Sequence, residues 1–559
     1  MMNLRSLKLA RVSSIALALL VLTLLIVVPL AEIFIQTVYR DGELQWSAPL
    51  RTLADAGLIR VMASTLWLGV CVIAGTTVLA LPLAWLMANT VIGRRKWLDI
   101  VLLVPFMTPP YIGSMGWILF MQKNGYLEQF MPALTAVTPY FFTMGGMVVI
   151  MSLHLFPFLY LLLRGSLERI GGSLEEAAAV SGAPFLYRFR RIVAPLLLSS
   201  YAMGAMLIFV KTIAEFGTPA TFGKRIGYPV MTSEIHKYIS SWPIDFGKAT
   251  TLASLLLTAC LGIWYVQSVV SRRYTYQLVG GKGSRRSALK SSGWAMWLGV
   301  PFVALLLLFA VGVPYFSIIA ASLTRLRGEG LAWDNLTLNA YRELLAWGGP
   351  GMKALLSSVW MSLAASFIAV ALGTWFALVI KRSRTAGQRT LDLLSLLPNT
   401  VPGIVTVVGL ILLWNSPWMP VPLYNTYGMV ILTYVVLFLP YTVQYVKSAA
   451  GQIDDSLFQA GQVFGGRSMY LFRRIRLPLI LPGMLAGWMM TFTIASRELV
   501  GSLLILPPSA QTSATFIFAQ FEQGQVSLGM AMAVVSVGFT TLMLILIESL
   551  GAGRKRSQP

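Results

Sequence analysis

The sequence predicts an all-α membrane protein of twelve transmembrane helices, arranged as two parallel repeats of six helices each. Hydrophobic residues make up 57% of the 559 residues and charged residues only 11%, whereas ordinary globular proteins carry about 25% charged residues. So few charges cannot cover the surface of a soluble protein of this length. Composition therefore excludes a water-soluble enzyme, and the net charge of +22 is better explained by the membrane surface than by nucleic acid.

Twelve apolar segments are long enough to cross a bilayer, which takes about 20 residues. They are 12–38, 58–87, 97–121, 141–163, 196–214, 249–270, 294–323, 354–380, 391–414, 427–446, 479–495 and 528–550. The first segment follows three basic residues, as a signal peptide would. Its apolar stretch is longer than the apolar core of a signal peptide, so we interpret it as a retained helix.

Basic residues lie mainly on one side of this predicted topology. When the N-terminus is placed in the cytoplasm, every internal segment is basic, including the clusters at 94–96, 188–191 and 554–556. The positive-inside rule therefore predicts that both the N-terminus and the C-terminus are cytoplasmic.

The chain is an internal duplication. Trp67 recurs 293 residues later as Trp360, and Pro157 recurs 283 residues later as Pro440. Six helices per copy is an even number, so the two copies have the same orientation, and a pathway between the halves is expected. The predicted parts are a first repeat at 1–270, a cytoplasmic linker at 271–293 and a second repeat at 294–559.

Prolines fall inside the third helix of each copy, at Pro109 and Pro402. Proline removes a backbone donor and kinks or breaks a helix, and the carbonyls that it frees need protein or water partners in a bilayer. The two prolines therefore indicate either a broken helix that lines a pathway or a packing kink.

The strongest similarity between the copies lies in a cytoplasmic loop. Of the 26 positions from 170 to 195, twelve are identical to those from 453 to 478. In the first loop, a helix-forming segment that contains Glu175 and Glu176 stops at Gly182, which can act as a C-terminal cap. The pattern predicts a short helix that lies on the cytoplasmic face and serves as a handle for a partner. A purely structural interfacial helix is the alternative.

This pattern resembles the coupling loop of the membrane subunits of bacterial binding-protein-dependent ABC importers. That family shows Glu-Ala-Ala, a Gly six residues after the Glu, and an Ile-x-Leu-Pro segment that ends thirteen residues after the Gly. The matching residues are Glu176, Ala177, Gly182, Ile192 and Pro195 in the first loop, and Ala460, Gly465, Ile475 and Pro478 in the second. The first loop departs from the family at Ala194, which replaces the Leu. The second departs at its start, where Gln459, Ala460 and Gly461 stand for Glu-Ala-Ala.

A single chain with two fused copies is most similar to ferric-iron importer permeases. The segments 215–220 and 497–499 also resemble that group. Fused permeases for thiamine or phosphonate-type substrates share the layout, so another small solute remains an alternative.

The resemblance implies a permease of the bacterial inner (cytoplasmic) membrane. It would work with a dimer of cytoplasmic ABC ATPases and a periplasmic substrate-binding protein. The sequence contains no nucleotide-binding loop of the Gly-x-x-x-x-Gly-Lys-Ser/Thr type. We therefore expect a permease that is not an enzyme, binds no cofactor of its own and relies on the ATP used by its partner.

Two acidic residues, Glu215 and Glu498, occupy equivalent positions near the external ends of the fifth and eleventh helices. Membrane-embedded acids are rare, and ferric iron is a hard cation that prefers oxygen ligands. We therefore expect Glu215 and Glu498 to lie along the pathway with the two prolines. Two carboxylates do not make a metal cage, so no metal site is predicted. Structural ion pairs with the neighbouring Lys211 and Arg497 are the alternative.

Asp99 and Asp392 are a second equivalent acidic pair, at the cytoplasmic starts of the third and ninth helices. A negative charge at the N-terminus of a helix interacts favourably with the helix dipole. We expect a structural role for both.

Two other classes of protein remain possible on sequence grounds. A secondary transporter can also consist of two parallel six-helix repeats, but it should carry charged residues in the middle of the membrane and needs no coupling loop. A non-transporting membrane scaffold is the other alternative, and the paired prolines and acids argue against it.

Overall fold

The fold is almost entirely helical. The computed structural model describes residues 4–40, 43–169, 178, 180–273, 293–381 and 385–555. Within these residues, ten helices are long and apolar enough to cross a membrane, and two further helix pairs qualify as bent spans. Twelve spans result when each bent pair is counted once, which confirms the all-α membrane class that the sequence predicts.

We number the spans along the chain. Spans 1 to 6 are Val12–Val38, Ala56–Asn89, Lys96–Met107 with Pro110–Phe130, Met144–Leu167, Phe189–Ala214 and Phe246–Val270. Spans 7 to 12 are Met296–Leu323, Pro350–Lys381, Ala386–Asn399 with Gly403–Trp414, Tyr427–Gly451, Met469–Ala495 and Val526–Met543. Shorter helices in the connections are Ser47–Leu53, Met231–Ser240, Asn339–Leu344, Asp455–Val463, Val500–Ile505 and Ser513–Glu522. The strands Tyr39–Arg40 and Glu43–Leu44 pair in antiparallel orientation.

Spans 3 and 9 are broken at their prolines. The two halves of span 3 are bent by 92°, and those of span 9 by 108°. Pro109 and Pro402 are the residues that cap the second half-helix, and both have a φ of −56°, which is close to the value that the proline ring imposes. The prolines therefore produce a true break in each span and not a mild kink.

The chain packs as two compact units, and these units do not follow the order of the repeats. Unit 1 contains Met1–Thr52, Ile235–Leu257 and Leu338–Pro559, and unit 2 contains Leu53–Glu234 and Thr258–Thr337. Span 1 thus belongs to the unit made mostly of the second copy, and span 7 to the unit made mostly of the first. The repeat boundaries stay a prediction, because the copies are defined by sequence and the units by packing. Most of the predicted linker at 271–293 lies outside the described residues.

Span 1 packs closely against broken span 9, and span 7 packs closely against broken span 3. A glycine in each broken span makes this close packing possible. In unit 1, a Cβ atom on Gly409 of span 9 would lie 2.5 Å from the carbonyl oxygen of Pro29 in span 1. In unit 2, a Cβ atom on Gly116 of span 3 would lie 2.7 Å from the carbonyl oxygen of Pro314 in span 7. Both distances are too short for a side chain, so each glycine permits a direct backbone approach of the kind that small residues provide in membranes.

The cores of the two units have the same design. In unit 1, spans 8, 10 and 11 pack against one another, and Ala377, Val446, Ala450 and Ile480 form a buried cluster between them. In unit 2, spans 2, 4 and 5 pack in the same way. The loop that resembles a coupling loop joins spans 10 and 11 in unit 1, and spans 4 and 5 in unit 2. Both of its ends are therefore anchored in a packed core.

Candidate functional site

The second coupling loop contains a complete short helix, which we call docking helix 2, at Asp455–Val463. It begins at Asp454, whose side-chain Oδ1 accepts a hydrogen bond from the backbone N–H of Ser456 at 2.9 Å, as an N-terminal cap does. That bond and the one to the Ser456 hydroxyl hold the pKa of Asp454 below its usual range. Gln459 and Ala460 lie in this helix, and both are exposed.

A glycine in the left-handed conformation ends this helix. Gly465 has a φ of +80°, and the N–H of the next residue, Gly466, donates to the carbonyl oxygen of Gly461 at 3.0 Å. This is the hydrogen-bond pattern of a glycine-terminated helix. No heavy atom lies within 4 Å of a Cβ placed at Gly465, so glycine is needed there for its backbone conformation and not for space.

The first coupling loop has a glycine with the same conformation and the same hydrogen-bond pattern. Gly182 has a φ of +79°, and the N–H of Ala183 donates to the carbonyl oxygen of Ala178 at 3.0 Å. The capping role predicted for Gly182 is therefore confirmed. Glu175, Glu176 and Ala177 lie outside the described residues, so their roles stay predictions.

Each loop then runs directly into the next span through a turn of π-helix. The π-helical residues are Phe189–Val193 in the first copy and Phe472–Arg476 in the second. They contain Ile192 and Ile475, which are both half-buried. The α-helix that follows has Pro195 or Pro478 in its first turn, and each proline lacks the N–H that a continuous helix would use there. The sequence pattern predicted a helix here but gave no sign that its first turn is π-helical.

The loops present apolar side chains to solvent. Val180 is 90% exposed in the first loop, and Val463 and Phe464 are 84% and 90% exposed in the second. Tyr187 and its equivalent Tyr470 are also exposed. Val463 and Phe464 are adjacent, so the second loop exposes two neighbouring apolar side chains at the end of its helix.

The carboxylates of Glu215 and Glu498 cap turns. Glu215 directly follows span 5, and its two carboxylate oxygens accept hydrogen bonds from the backbone N–H of Thr218 at 3.0 and 3.1 Å. Glu498 lies three residues beyond span 11 and accepts from the backbone N–H groups of Val500 at 2.8 Å and Gly501 at 2.9 Å. Both carboxylates therefore fix the start of the segment that follows, which is a role that the sequence did not predict.

The short helices Met231–Ser240 and Ser513–Glu522 are each tied at their start to a span by a hydroxyl group. The backbone N–H of Met231 donates to Oγ1 of Thr65 in span 2 at 2.9 Å, and that of Ser513 donates to Oγ of Ser358 in span 8 at 2.7 Å. In unit 2, Oγ1 of Thr232 also donates to the carbonyl oxygen of Glu215 at 2.8 Å. In unit 1, Oγ of Ser513 donates to the carbonyl oxygen of Ser496 at 3.2 Å, so the chain beside each glutamate is connected to the start of a short helix and, through it, to a span.

Asp99 and Asp392 form ion pairs that the sequence analysis missed. Asp99 pairs with Arg164 of span 4, which also donates to Oη of Tyr160 at 2.7 Å. Asp392 accepts from Nζ of Lys447 in span 10 at 2.7 Å. Because Arg164 and Lys447 are equivalent in the two copies, the matched pairs of opposite charge were the signal that could have found these contacts.

Acidic and metal-binding side chains are otherwise sparse. Within the described part of the chain, no group of three or more His, Cys, Asp or Glu residues is placed to hold a metal ion. The described residues thus expose apolar side chains in the two loops and hold a carboxylate just beyond the other end of span 5 and of span 11.

Comparison with known proteins assigns the chain to a family. The family described as "Binding-protein-dependent transport system inner membrane component" matches residues 80–276 and 369–556, which is once in each copy. Its members are non-catalytic transmembrane subunits that bind no cofactor, and a partner ATPase hydrolyses the ATP. Such a system implies an ATPase and a substrate-binding protein as partners.

Individual relatives resemble the chain over most of its length. The ferric transport system permease protein FbpB of Actinobacillus pleuropneumoniae is 27% identical over 93% of this chain and 75% of its own length. An Fe(3+)-transport system permease protein of Haemophilus influenzae is 24% identical over 94% of this chain and 97% of its own length. A putative 2-aminoethylphosphonate transport system permease protein of Salmonella typhi is 25% identical over 42% of this chain and 88% of its own length. With the family matched in both copies, this chain is a multi-pass inner membrane protein and belongs to the inner membrane components of binding-protein-dependent transport systems.

Proposed function

We propose that this chain is the permease of an ATP-driven ferric iron importer that receives its iron from a periplasmic binding protein. The observation that carries this proposal is the length of the similarity to ferric transport permeases. Three such relatives align with 89% to 94% of the chain, so the similarity includes both copies and is not confined to one.

Both termini and both coupling loops lie in the cytoplasm in this proposal, as the positive-inside rule indicates. Each loop receives one subunit of an ATPase dimer. Glu176, Gly182, Gln459 and Gly465 belong to the two docking segments. The exposed side chains of Val463 and Phe464 give docking helix 2 an apolar surface that the ATPase covers.

Movement of a docking helix reaches the opposite end of the molecule through a single long helix. Span 11 runs without interruption over 27 residues, Met469–Ala495, which is about 40 Å at about 1.5 Å per residue. Glu498 lies three residues beyond its far end. Closure of the ATPase dimer shifts the equilibrium between two states of the permease, and the difference in ATPase affinity between these states supplies the work.

Glu215 and Glu498 guide the cation at the external mouth. A carboxylate is the oxygen ligand that a hard cation prefers. Burial raises the pKa of Glu215 and of Glu498 to about 7, and the hydrogen bonds from backbone N–H groups oppose that rise. Neither carboxylate alone forms a cage, so each contact with the cation is transient, as transport requires. The broken spans at Pro109 and Pro402 line the pathway, because a break in a helix leaves backbone carbonyls that water in a pathway can solvate.

A phosphonate-type substrate is the second candidate. The 2-aminoethylphosphonate permease relatives support it, although they match only 42% of this chain. An anionic substrate would not be attracted by carboxylates at the mouth, and this favours the cation. Thiamine, which other fused permeases carry, is the third substrate to test.

Uptake by cells that lack their own systems for these substrates tests the proposal. The chain is expressed with its ATPase and its binding protein, and accumulation of labelled ferric iron, 2-aminoethylphosphonate and thiamine is measured separately. We expect that only ferric iron accumulates. Neither organic substrate should compete with its uptake. Accumulation of 2-aminoethylphosphonate or thiamine without iron would contradict the proposal.

A further inference from the structure

Docking helix 2 is held to the bundle by a lysine that has no counterpart in the first copy. Lys381 is the last residue of span 8. Its Nζ donates to the carbonyl oxygen of Ile453 at 2.8 Å and to that of Ala450. Ala450 lies in the last turn of span 10 and Ile453 lies two residues before docking helix 2 begins. One ammonium group therefore joins the end of one span, the end of another and the base of the docking helix.

These acceptors are well suited to a cation. The last carbonyl groups of a helix have no partner within it, and they carry the negative end of the helix dipole, so a positive charge there is stabilising. Asp454, which caps the docking helix, is the residue directly after Ile453. A shift of the Lys381 side chain would therefore change both the end of span 10 and the starting position of docking helix 2.

A second contact holds the other end of the same loop. The guanidinium of Arg476 lies 4.6 Å from the ring centroid of Phe458, within the range of a cation–π interaction. Phe458 is on docking helix 2, and Arg476 ends the π-helical turn that leads into span 11. The docking helix is thus fixed to span 8 and span 10 at its base and to span 11 along its side.

The first copy lacks the residues for these contacts. Its residues equivalent to Lys381 and Asp454 are Ala88 and Gly171, and those equivalent to Phe458 and Arg476 are Glu175 and Val193. Neither the ammonium donor nor the cation–π pair can form with these side chains. The two coupling loops therefore differ in how the chain can fix them, as well as in the Glu176 and Gln459 difference.

We propose that Lys381 is a positioning residue that locks docking helix 2 to spans 8 and 10, so that the second coupling loop transmits ATPase movement as a rigid connection. This inference rests on the proposed importer function. Without Lys381, the ATPase would still bind the exposed surface of the helix. The base of the helix would then move independently of spans 8 and 10, so a smaller part of the ATPase movement would reach the spans.

The test compares three variants of the full chain in complex with its ATPase in lipid nanodiscs. Lys381→Met keeps the length of the side chain and removes its donors, and Lys381→Arg keeps donors in reach of both carbonyls. Lys353→Met is the matched control, because Lys353 is an exposed lysine at the opposite end of the same helix. The measurements are amide hydrogen exchange of residues 455–463 in the nanodiscs and, for the same complexes in proteoliposomes, ferric iron transported per ATP hydrolysed.

We expect Lys381→Met to speed exchange across docking helix 2 by about tenfold, as loss of a charged hydrogen bond at its base implies. It should also lower the iron transported per ATP while basal ATP hydrolysis continues. In Lys381→Arg and in Lys353→Met, the exchange rate and the iron transported per ATP should both stay close to the wild-type values. The inference would be overturned if Lys381→Met left the exchange rate of docking helix 2 unchanged. It would also be overturned if Lys353→Met changed the exchange rate and the iron transported per ATP as much as Lys381→Met does. The exchange measurement needs no substrate, so it decides the role of Lys381 even if ferric iron proves to be the wrong cargo.

Discussion

Two glycines have conformations that few other residues can adopt, and both end a coupling segment. The left-handed conformation costs a residue with a side chain about 1–2 kcal/mol. Gly182→Ala and Gly465→Ala should therefore weaken ATPase binding by about 5- to 30-fold each, measured by titration of the ATPase into the purified permease. Gly451→Ala is the control, because Gly451 lies at the end of a helix with open space at its Cβ position and no positive φ. Equal binding by all three variants would show that the caps do not shape the docking surface.

Gln459 replaces the family's glutamate in the second loop, and this difference predicts that the two loops contribute unequally to ATPase binding. A hydrogen bond to a charged group is roughly twice as strong as one between neutral groups, so Glu176 should contribute more to docking than Gln459. We expect Glu176→Gln to lower ATPase affinity and transport, and Gln459→Glu to leave them unchanged or raise them. The same titration with uptake assays compares the two. Small and equal effects would mean that both side chains are solvated, where an ion pair is worth only about 0–1 kcal/mol.

Sequence identified individual residues better than it identified their partners. The constant spacing between copies was enough to select Gly182, Glu215 and Glu498. The structure adds that each glutamate binds backbone N–H groups two to four residues ahead, which depends on the path of the turn and leaves no pattern in residue type. Lys381 was invisible for a different reason: its first-copy equivalent is alanine, so comparison of the copies could not mark it.

At the scale of the element, the turn after span 5 or span 11 combines a cap with a negative charge, and substitution can separate the two. Glutamine keeps an oxygen that accepts from the backbone N–H groups, whereas alanine does not. We expect Glu215→Gln together with Glu498→Gln to reduce ferric uptake while ATPase association and thermal stability are retained. The corresponding alanine variants should also lose stability, because removal of a cap costs about 0.5–2 kcal/mol. Normal uptake kinetics in the glutamine variants would leave capping as the whole role of these residues.

The broken spans show how far an element could be predicted. Proline marked where spans 3 and 9 are interrupted, and the interruption follows from the missing N–H and the fixed φ. The bends of 92° and 108° depend on packing and could not be read from composition. The sequence also did not predict that spans 1 and 7 each pack in the unit made mostly of the other copy. Segments that are adjacent within one copy were the neighbours that the sequence favoured.

At the scale of the whole molecule, the orientation of the chain in the membrane is a prediction that two exposed side chains can test. Phe464 is 90% exposed in the second coupling loop, and Trp333 is 92% exposed in the connection between spans 7 and 8. Single cysteines at these sites, in a background with Cys71 and Cys260 replaced by alanine, should react differently with a membrane-impermeant thiol reagent. In spheroplasts we expect labelling of Trp333→Cys alone. Labelling of Phe464→Cys alone would invert the topology and remove the coupling loops from the cytoplasm.

The duplicated chain does in one polypeptide what two subunits could do, and the most direct test of that account is ATP-dependent iron transport in a defined system. The permease is reconstituted in proteoliposomes with its ATPase, ferric-loaded binding protein is added outside, and ATP is enclosed inside. The account predicts that iron accumulates only when ATP and binding protein are both present, and that Gly182→Pro abolishes accumulation while the protein still inserts. Accumulation that is unaffected by omission of ATP, or driven by an ion gradient alone, would contradict it.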